Sequence, residues 1–166
     1  MKKITILLAF LFTGLLANSQ NIAPNAIGIR FGSGSTISTG AEVTYQRAMS
    51  PNNRLEINAG FYNDEWYNGF NLAATYQWVW VLEDRFNWYA GAGADLGSWA
   101  YKPEYLGFIH ESGFFLGAAG QIGIEYAFEF PLQLSLDYRP TVYVINGWNG
   151  QTVGGSVALS VRYQFN

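Results

Sequence analysis

The chain has 166 residues, with nine Lys and Arg against twelve Asp and Glu, one His and no Cys. The lack of cysteine excludes disulfides, thiolate metal sites, a cysteine nucleophile and a lipoprotein anchor, and the acidic balance argues against a nucleic-acid partner. Charged residues make up only 13% of the chain while aromatics reach 17% and Gly numbers 19, the profile of a β-protein that meets lipid.

Residues 1–19 read as a secretory signal. Lys2 and Lys3 form a positive start, Ile4 to Leu16 an apolar run, and Ala17-Asn18-Ser19 a small-residue cleavage site ahead of Gln20. The apolar run is too short for a membrane-spanning helix. This leaves residues 20–166 as one domain. Without Lys2 and Lys3 it holds seven basic residues against twelve acidic ones, a net charge of −5.

Alternation of apolar and polar residues predicts eight strands. The first runs over Ala26 to Gly34, with Ile27, Ile29 and Phe31 opposite Arg30. The second, Thr39 to Met49, sets Ala41, Val43 and Tyr45 against Glu42, Thr44 and Gln46. A Ser50-Pro51-Asn52-Asn53 turn leads to the third, Arg54 to Tyr62, and the fourth spans Gly69 to Leu82. After Glu83-Asp84-Arg85 the fifth covers Phe86 to Gly97, followed by a long aromatic loop from Ser98 to Ser112. The sixth is Gly113 to Phe128, and Glu129 to Pro131 turns into the seventh, Pro131 to Asn146. There Leu132, Leu134, Leu136, Tyr138, Val142 and Val144 oppose Gln133, Ser135, Asp137, Arg139 and Thr141. A short loop precedes the eighth, Thr152 to Phe165. Pro140 lies within a strand and cannot donate a ladder bond, so a bulge or kink is expected there.

The strands are long enough to cross a bilayer at a tilt. In lipid every backbone group must be paired, so the sheet must close. The fold class predicted is all-β, a closed eight-stranded antiparallel up-and-down transmembrane β-barrel. Its three tight turns fall at alternate connections, as short periplasmic turns do. A soluble barrel of the lipocalin kind would place apolar residues inside instead. Two features decide between them. The polar face carries four arginines (Arg30, Arg54, Arg139, Arg162) and five carboxylates (Glu42, Glu56, Asp95, Glu125, Asp137), nearly balanced as a paired lumen requires. The apolar face carries aromatics near both ends: Trp78, Trp80, Trp88, Tyr126, Tyr163 and Phe165 by the turns, and Phe61, Trp66, Phe70 and Trp99 by the loops. Eight strands leave room only for side chains inside, so no open pore is expected.

The chain ends Val157-Ala158-Leu159-Ser160-Val161-Arg162-Tyr163-Gln164-Phe165, alternation closing on an aromatic, with Asn166 after it and Ser160 where Gly is common. With the eight strands, this resembles the small outer-membrane barrels of the OmpA/OmpX type and the short barrel proteins of Bacteroidetes-type bacteria. The resemblance implies insertion by the barrel-assembly machinery into the outer membrane of a Gram-negative bacterium, in contact with its lipid and lipopolysaccharide. It is almost silent on activity.

Several stretches bear on chemistry. His110-Glu111-Ser112, with Glu125 on the next strand, resembles the His-x-Ser and Glu of the lipid A deacylase PagL, a base, nucleophile and orienter for ester cleavage. Gly113-Phe114 follow the Ser here where that family has Asn-Ala. The helix and the His and Ser-Asp arrangement of a PagP-type palmitoyltransferase are missing. Ala90-Gly91-Ala92-Gly93-Ala94 lacks the spacing and the helix of a dinucleotide loop. One His with no Cys makes a metal site improbable, and no cofactor is expected. The aromatic loop, with Trp99, Tyr101, Tyr105 and Phe108, reads either as an interfacial anchor or as a docking surface for an envelope partner. The function expected is a non-enzymatic outer-membrane barrel with a structural or interaction role, or a subunit of a larger assembly. A PagL-like deacylase and a narrow channel are the alternatives.

Overall fold

The computed structural model describes residues 22–34, 40–63, 67–102, 112–145 and 152–166. They form eight strands: β1 (Asn25–Gly34), β2 (Gly40–Ser50), β3 (Asn53–Asn63), β4 (Tyr67–Glu83), β5 (Phe86–Tyr101), β6 (Ser112–Ala127), β7 (Leu132–Ile145) and β8 (Val153–Phe165). Each pairs antiparallel with its sequence neighbours, and β1 pairs β8, which closes the barrel. The expected leader lies outside the described residues.

The stagger of the closure can be followed pair by pair. From Gln164 the partners are Ala26, Gln46, Glu56, Thr75, Gly93, Ala119, Thr141 and then Gly154. One circuit therefore returns to β8 ten residues from its start, at Gly154 instead of Gln164. Such a stagger tilts the strands by about 35–45°. A 13-residue strand such as β8 then rises roughly 30 Å along the axis, the thickness of a hydrocarbon core.

The turn end is tight. Pro51-Asn52 and Asp84-Arg85 join their hairpins. Asp84 adopts the left-handed conformation (φ 46°), which Asp tolerates, beside an irregularity between Val81 and Glu83. Between β6 and β7 the amide of Phe128 donates to the carbonyl of Leu132 at 2.9 Å. Both ends of the barrel chain are tied in here, with Ala48 N–H on the Pro24 carbonyl and Gln164 N–H on the Pro131 carbonyl.

The faces sort by parity. Ile27, Ile29, Val43, Leu72, Ile122, Leu136, Val157 and Leu159 are exposed, while Arg30, Glu56, Arg139 and Arg162 are buried. This is the reverse of a soluble barrel and the arrangement lipid requires. The turn-end belt includes Trp80 stacked on Trp88 at 4.3 Å and Tyr163 stacked with Phe165 at 6.5 Å. Phe61, Phe70 and Phe114 are exposed near the loop end, and Trp66 lies outside the described residues.

Three expectations need correction. The loop assigned from Ser98 begins later, because β5 continues to Tyr101, pairing Trp99 with Gly69 and Tyr101 with Tyr67. Trp99 also shares the inward parity of Asp95 and packs against the buried Tyr62, Phe115 and Tyr143, so it is no part of an outward belt. Nothing in Ser98-Trp99-Ala100-Tyr101 punctuates the strand, and aromatics favour extension. Pro140 makes no bulge. Ala119↔Thr141 and Ile122↔Tyr138 keep one register on either side of it, so the proline interrupts the ladder without shifting it. The register shift of this pair lies at Leu116/Gly117.

Leu136 faces outward from the middle of β7. Leu136→Arg should destabilise the barrel by about 2–4 kcal/mol in bilayers, read by urea unfolding in vesicles, whereas Leu136→Ile should cost under about 1.5 kcal/mol. Equal stability of Leu136→Arg and the parent would refute the outward assignment.

Candidate functional site

The lumen brings together all nine charged residues read from the polar face. Alternation places each on an inward position, and closure brings distant strands within reach. Arg30 on β1 pairs with Asp137 on β7 at 2.7 Å and with Glu42 on β2 at 3.0 Å. Arg139 on β7 donates to the other oxygen of Glu42, which also accepts from Asn71 Nδ2 at 2.7 Å. Arg162 on β8 pairs with Glu56 on β3 at 3.0 Å. Arg54 on β3 meets Glu125 on β6 with both terminal nitrogens, at 2.6 and 3.0 Å, the fork geometry that makes Arg–carboxylate pairs strong and directional.

Neutral polar groups connect these pairs. Gln121 donates to Glu56 at 3.0 Å and accepts from Gln77 at 2.9 Å, and Gln77 accepts from Arg54 Nε at 2.6 Å. Arg162 also donates to Ser135 at 2.7 Å and Thr44 at 3.1 Å. These amides and hydroxyls were not singled out as site residues from sequence, although their inward parity was the available signal. Tyr89 fills the lumen beside them. The Arg54 guanidinium lies over its ring at 4.9 Å, and a Cβ on Gly123 would come within 2.6 Å of that ring, so only glycine fits opposite.

One carboxylate stands apart. Asp95 is 3% exposed, its cross-strand neighbours are Ala73 and Gly117, and its Oδ1 has no hydrogen-bond partner among the described residues. The four arginines are matched by the other four carboxylates, which leaves Asp95 as the fifth. Above it, toward the loops, lies an aromatic layer. Phe115 meets Tyr143 edge-on at 5.6 Å, and Tyr62 donates to the Phe70 and Ser98 carbonyls at 3.0 and 2.8 Å. At the turn end the space among Ala26, Gln46, Arg54, Glu125 and Gln133 is about 20 Å³, room for roughly one water.

The remaining candidates separate. Ser112 and Glu125 occupy opposite ends of β6, about 40 Å apart along an extended strand, and Glu125 is held by Arg54. His110 and Glu111 lie outside the described residues, and the separation of Ser112 from Glu125 is too great for these two to belong to one triad. Of the aromatic loop residues, Trp99 and Tyr101 belong to β5 and meet each other at 5.5 Å. Tyr105 and Phe108 lie outside the described residues. Among the described residues no group of His, Asp and Glu could hold a metal ion.

No family model matches the chain, and no curated protein matches it in sequence. Solved structures do match in fold. The N-terminal β-barrel domain of Pseudomonas aeruginosa OprF is similar with a TM-score of 0.67 at 12% identity, covering 87% of this chain and 100% of that one. Neisserial surface protein A (NspA) has a TM-score of 0.64 at 16% identity, covering 85% and 96%. Ail, the attachment invasion locus protein of Yersinia pestis, has 0.57 at 15%, also covering 85% and 96%. The fold is therefore that of the small, closed, eight-stranded antiparallel barrels.

Removing Glu56 should strand the buried Arg162 guanidinium. Glu56→Gln should cost about 3–5 kcal/mol of stability, whereas Asp95→Asn should leave stability unchanged or raise it. Equilibrium denaturation in one lipid system compares the two. A greater loss from Asp95→Asn than from Glu56→Gln would overturn this account of the lumen.

Proposed function

We propose that this chain is a sealed, non-enzymatic barrel of the Gram-negative outer membrane with a structural or interaction role at the cell envelope. The observation that carries the reading is the combination of a lumen filled by paired charges with an outward face that is predominantly apolar through the middle of the barrel. The first removes a path for solutes and the second demands lipid. Residues 1–19 would direct export, and the aromatic end of β8 would be read by the barrel-assembly machinery. The short turns then face the periplasm and the loops the exterior, in contact with lipopolysaccharide.

Interaction is assigned to the loop end. Phe61 is 82% exposed there, its cross-strand partner Phe70 is exposed, and Phe114 is exposed farther round the rim, and the segment 103–111 adds Tyr105 and Phe108. Exposed aromatics are the residues that dominate binding hot spots. Two of the similar structures bear names of surface or attachment proteins, which is in keeping with this role. The same scaffold serves unrelated functions through its loops, so the partner is an envelope component to be found by capture.

Two measurements test the reading. Purified barrel in planar bilayers should give no steady conductance, and a stable open level would favour a narrow channel instead. Deleting residues 103–111 should change barrel stability by less than about 1 kcal/mol, since loop lengths are tolerated well, while abolishing copurification of any envelope partner. Retention of that partner by the deletion variant would place the interaction elsewhere.

A further inference from the structure

Arg47 breaks the pattern of the other strand arginines. Arg30, Arg54, Arg139 and Arg162 are buried in the lumen, but Arg47 has the outward parity of Val43 and Tyr45 and is exposed. Among the described residues no carboxylate pairs with it. Its Nη1 donates to Asn25 Oδ1 at 2.8 Å, and the same oxygen accepts from the Tyr45 hydroxyl at 2.7 Å. Asn25 is itself buried. The arginine is thus braced from beneath by a fixed acceptor, through one of its five N–H donors.

Its surroundings fix its depth. The row of cross-strand partners reads Phe165, Asn25, Arg47, Leu55 and Tyr76, and the next row toward the loops holds Tyr163, Ile27, Tyr45 and Ile57. This is the aromatic girdle at the turn end, three residues from the end of β2 at Ser50. A lipid-facing arginine is tolerated there because the headgroup region, unlike the hydrocarbon middle, can solvate it. A planar guanidinium with one edge tied back presents its other donors in the fork that matches a phosphate.

We propose that Arg47, positioned by Asn25 and Tyr45, binds the headgroup phosphate of a phospholipid in the leaflet at the turn end, with preference for a net-anionic lipid such as phosphatidylglycerol. Among the described residues the positive charge has no counterion on the outer face, and a phosphodiester supplies it. The flanking Phe165, Leu55 and Tyr76 cover the glycerol and upper acyl carbons. This rests on the membrane reading above, since it takes the exposed face to meet lipid.

The test reconstitutes the full folded barrel into phosphatidylcholine bilayers containing phosphatidylglycerol, then counts retained lipid by native mass spectrometry after gentle extraction. The parent should retain phosphatidylglycerol. Arg47→Gln should retain it about fivefold less, the equivalent of about 1 kcal/mol. Asn25→Ala should fall between, with the charge kept but its orientation lost. Arg85→Gln, which removes a turn arginine paired with Glu129, should match the parent. Equal retention by Arg47→Gln and the parent would overturn the site. So would equal retention of diacylglycerol, which lacks the phosphate, or displacement of the lipid by inorganic phosphate, which would mark a free-anion site. Failure of the parent to insert into these bilayers would sink the membrane reading and the site together, whereas insertion with equal retention sinks the site alone.

Discussion

Everything in this barrel depends on matching buried charges inside a tube of fixed width. Eight strands with a stagger of ten residues, from Gln164 to Gly154, leave an interior that only side chains can fill. Each arginine placed there must find its carboxylate there too, because an unpaired buried charge costs several kcal/mol. The pairs join residues far apart in sequence: Arg30 with Asp137, Arg162 with Glu56, Arg54 with Glu125. None can form until the strands that carry both partners stand in register. Closure and charge pairing are therefore one event, and a register slip of one residue would turn charges toward lipid.

The same constraint explains which parts were legible in the sequence. Strand number, the facing of each lumen charge and the hairpin turns follow from a period of two punctuated by Pro51, Asp84 and Pro131, all local signals. The partner of each arginine was not legible, because it depends on the stagger accumulated around eight interfaces. Nor was the extension of β5 through Trp99 and Tyr101. Their aromatic character suggested a docking loop, yet the pairing with Gly69 and Tyr67 makes them strand. Pro140 suggested a bulge or kink, but the ladder to β8 continues through Pro140↔Gly155 and holds the register across the gap, so no bulge forms. Arg47 was readable by parity alone, though four inward arginines made a fifth, outward one easy to pass over.

The two ends of the barrel differ in what they present. The turn end is closed by tight hairpins, a belt of stacked aromatics and one outward arginine, all suited to holding depth in a bilayer. The loop end carries an inward aromatic layer of Tyr62, Phe115 and Tyr143 beneath the segments that vary most freely on such scaffolds. A tube filled by paired side chains is a rigid platform for those segments, since it fixes where they stand.

The inside-out sorting of β7 offers the most direct test, and the absence of native cysteine makes it simple. Single cysteines placed in turn along residues 132–145, each carrying a nitroxide label, would be read for collision with oxygen, which concentrates in lipid, and with a water-soluble nickel chelate. Oxygen accessibility should rise and fall with a period of two, high at positions 134, 136, 138 and 142 and low at 135, 137, 139 and 141. The opposite phase, or high nickel accessibility at both sets, would contradict a barrel that keeps its charges inside and its apolar face in lipid.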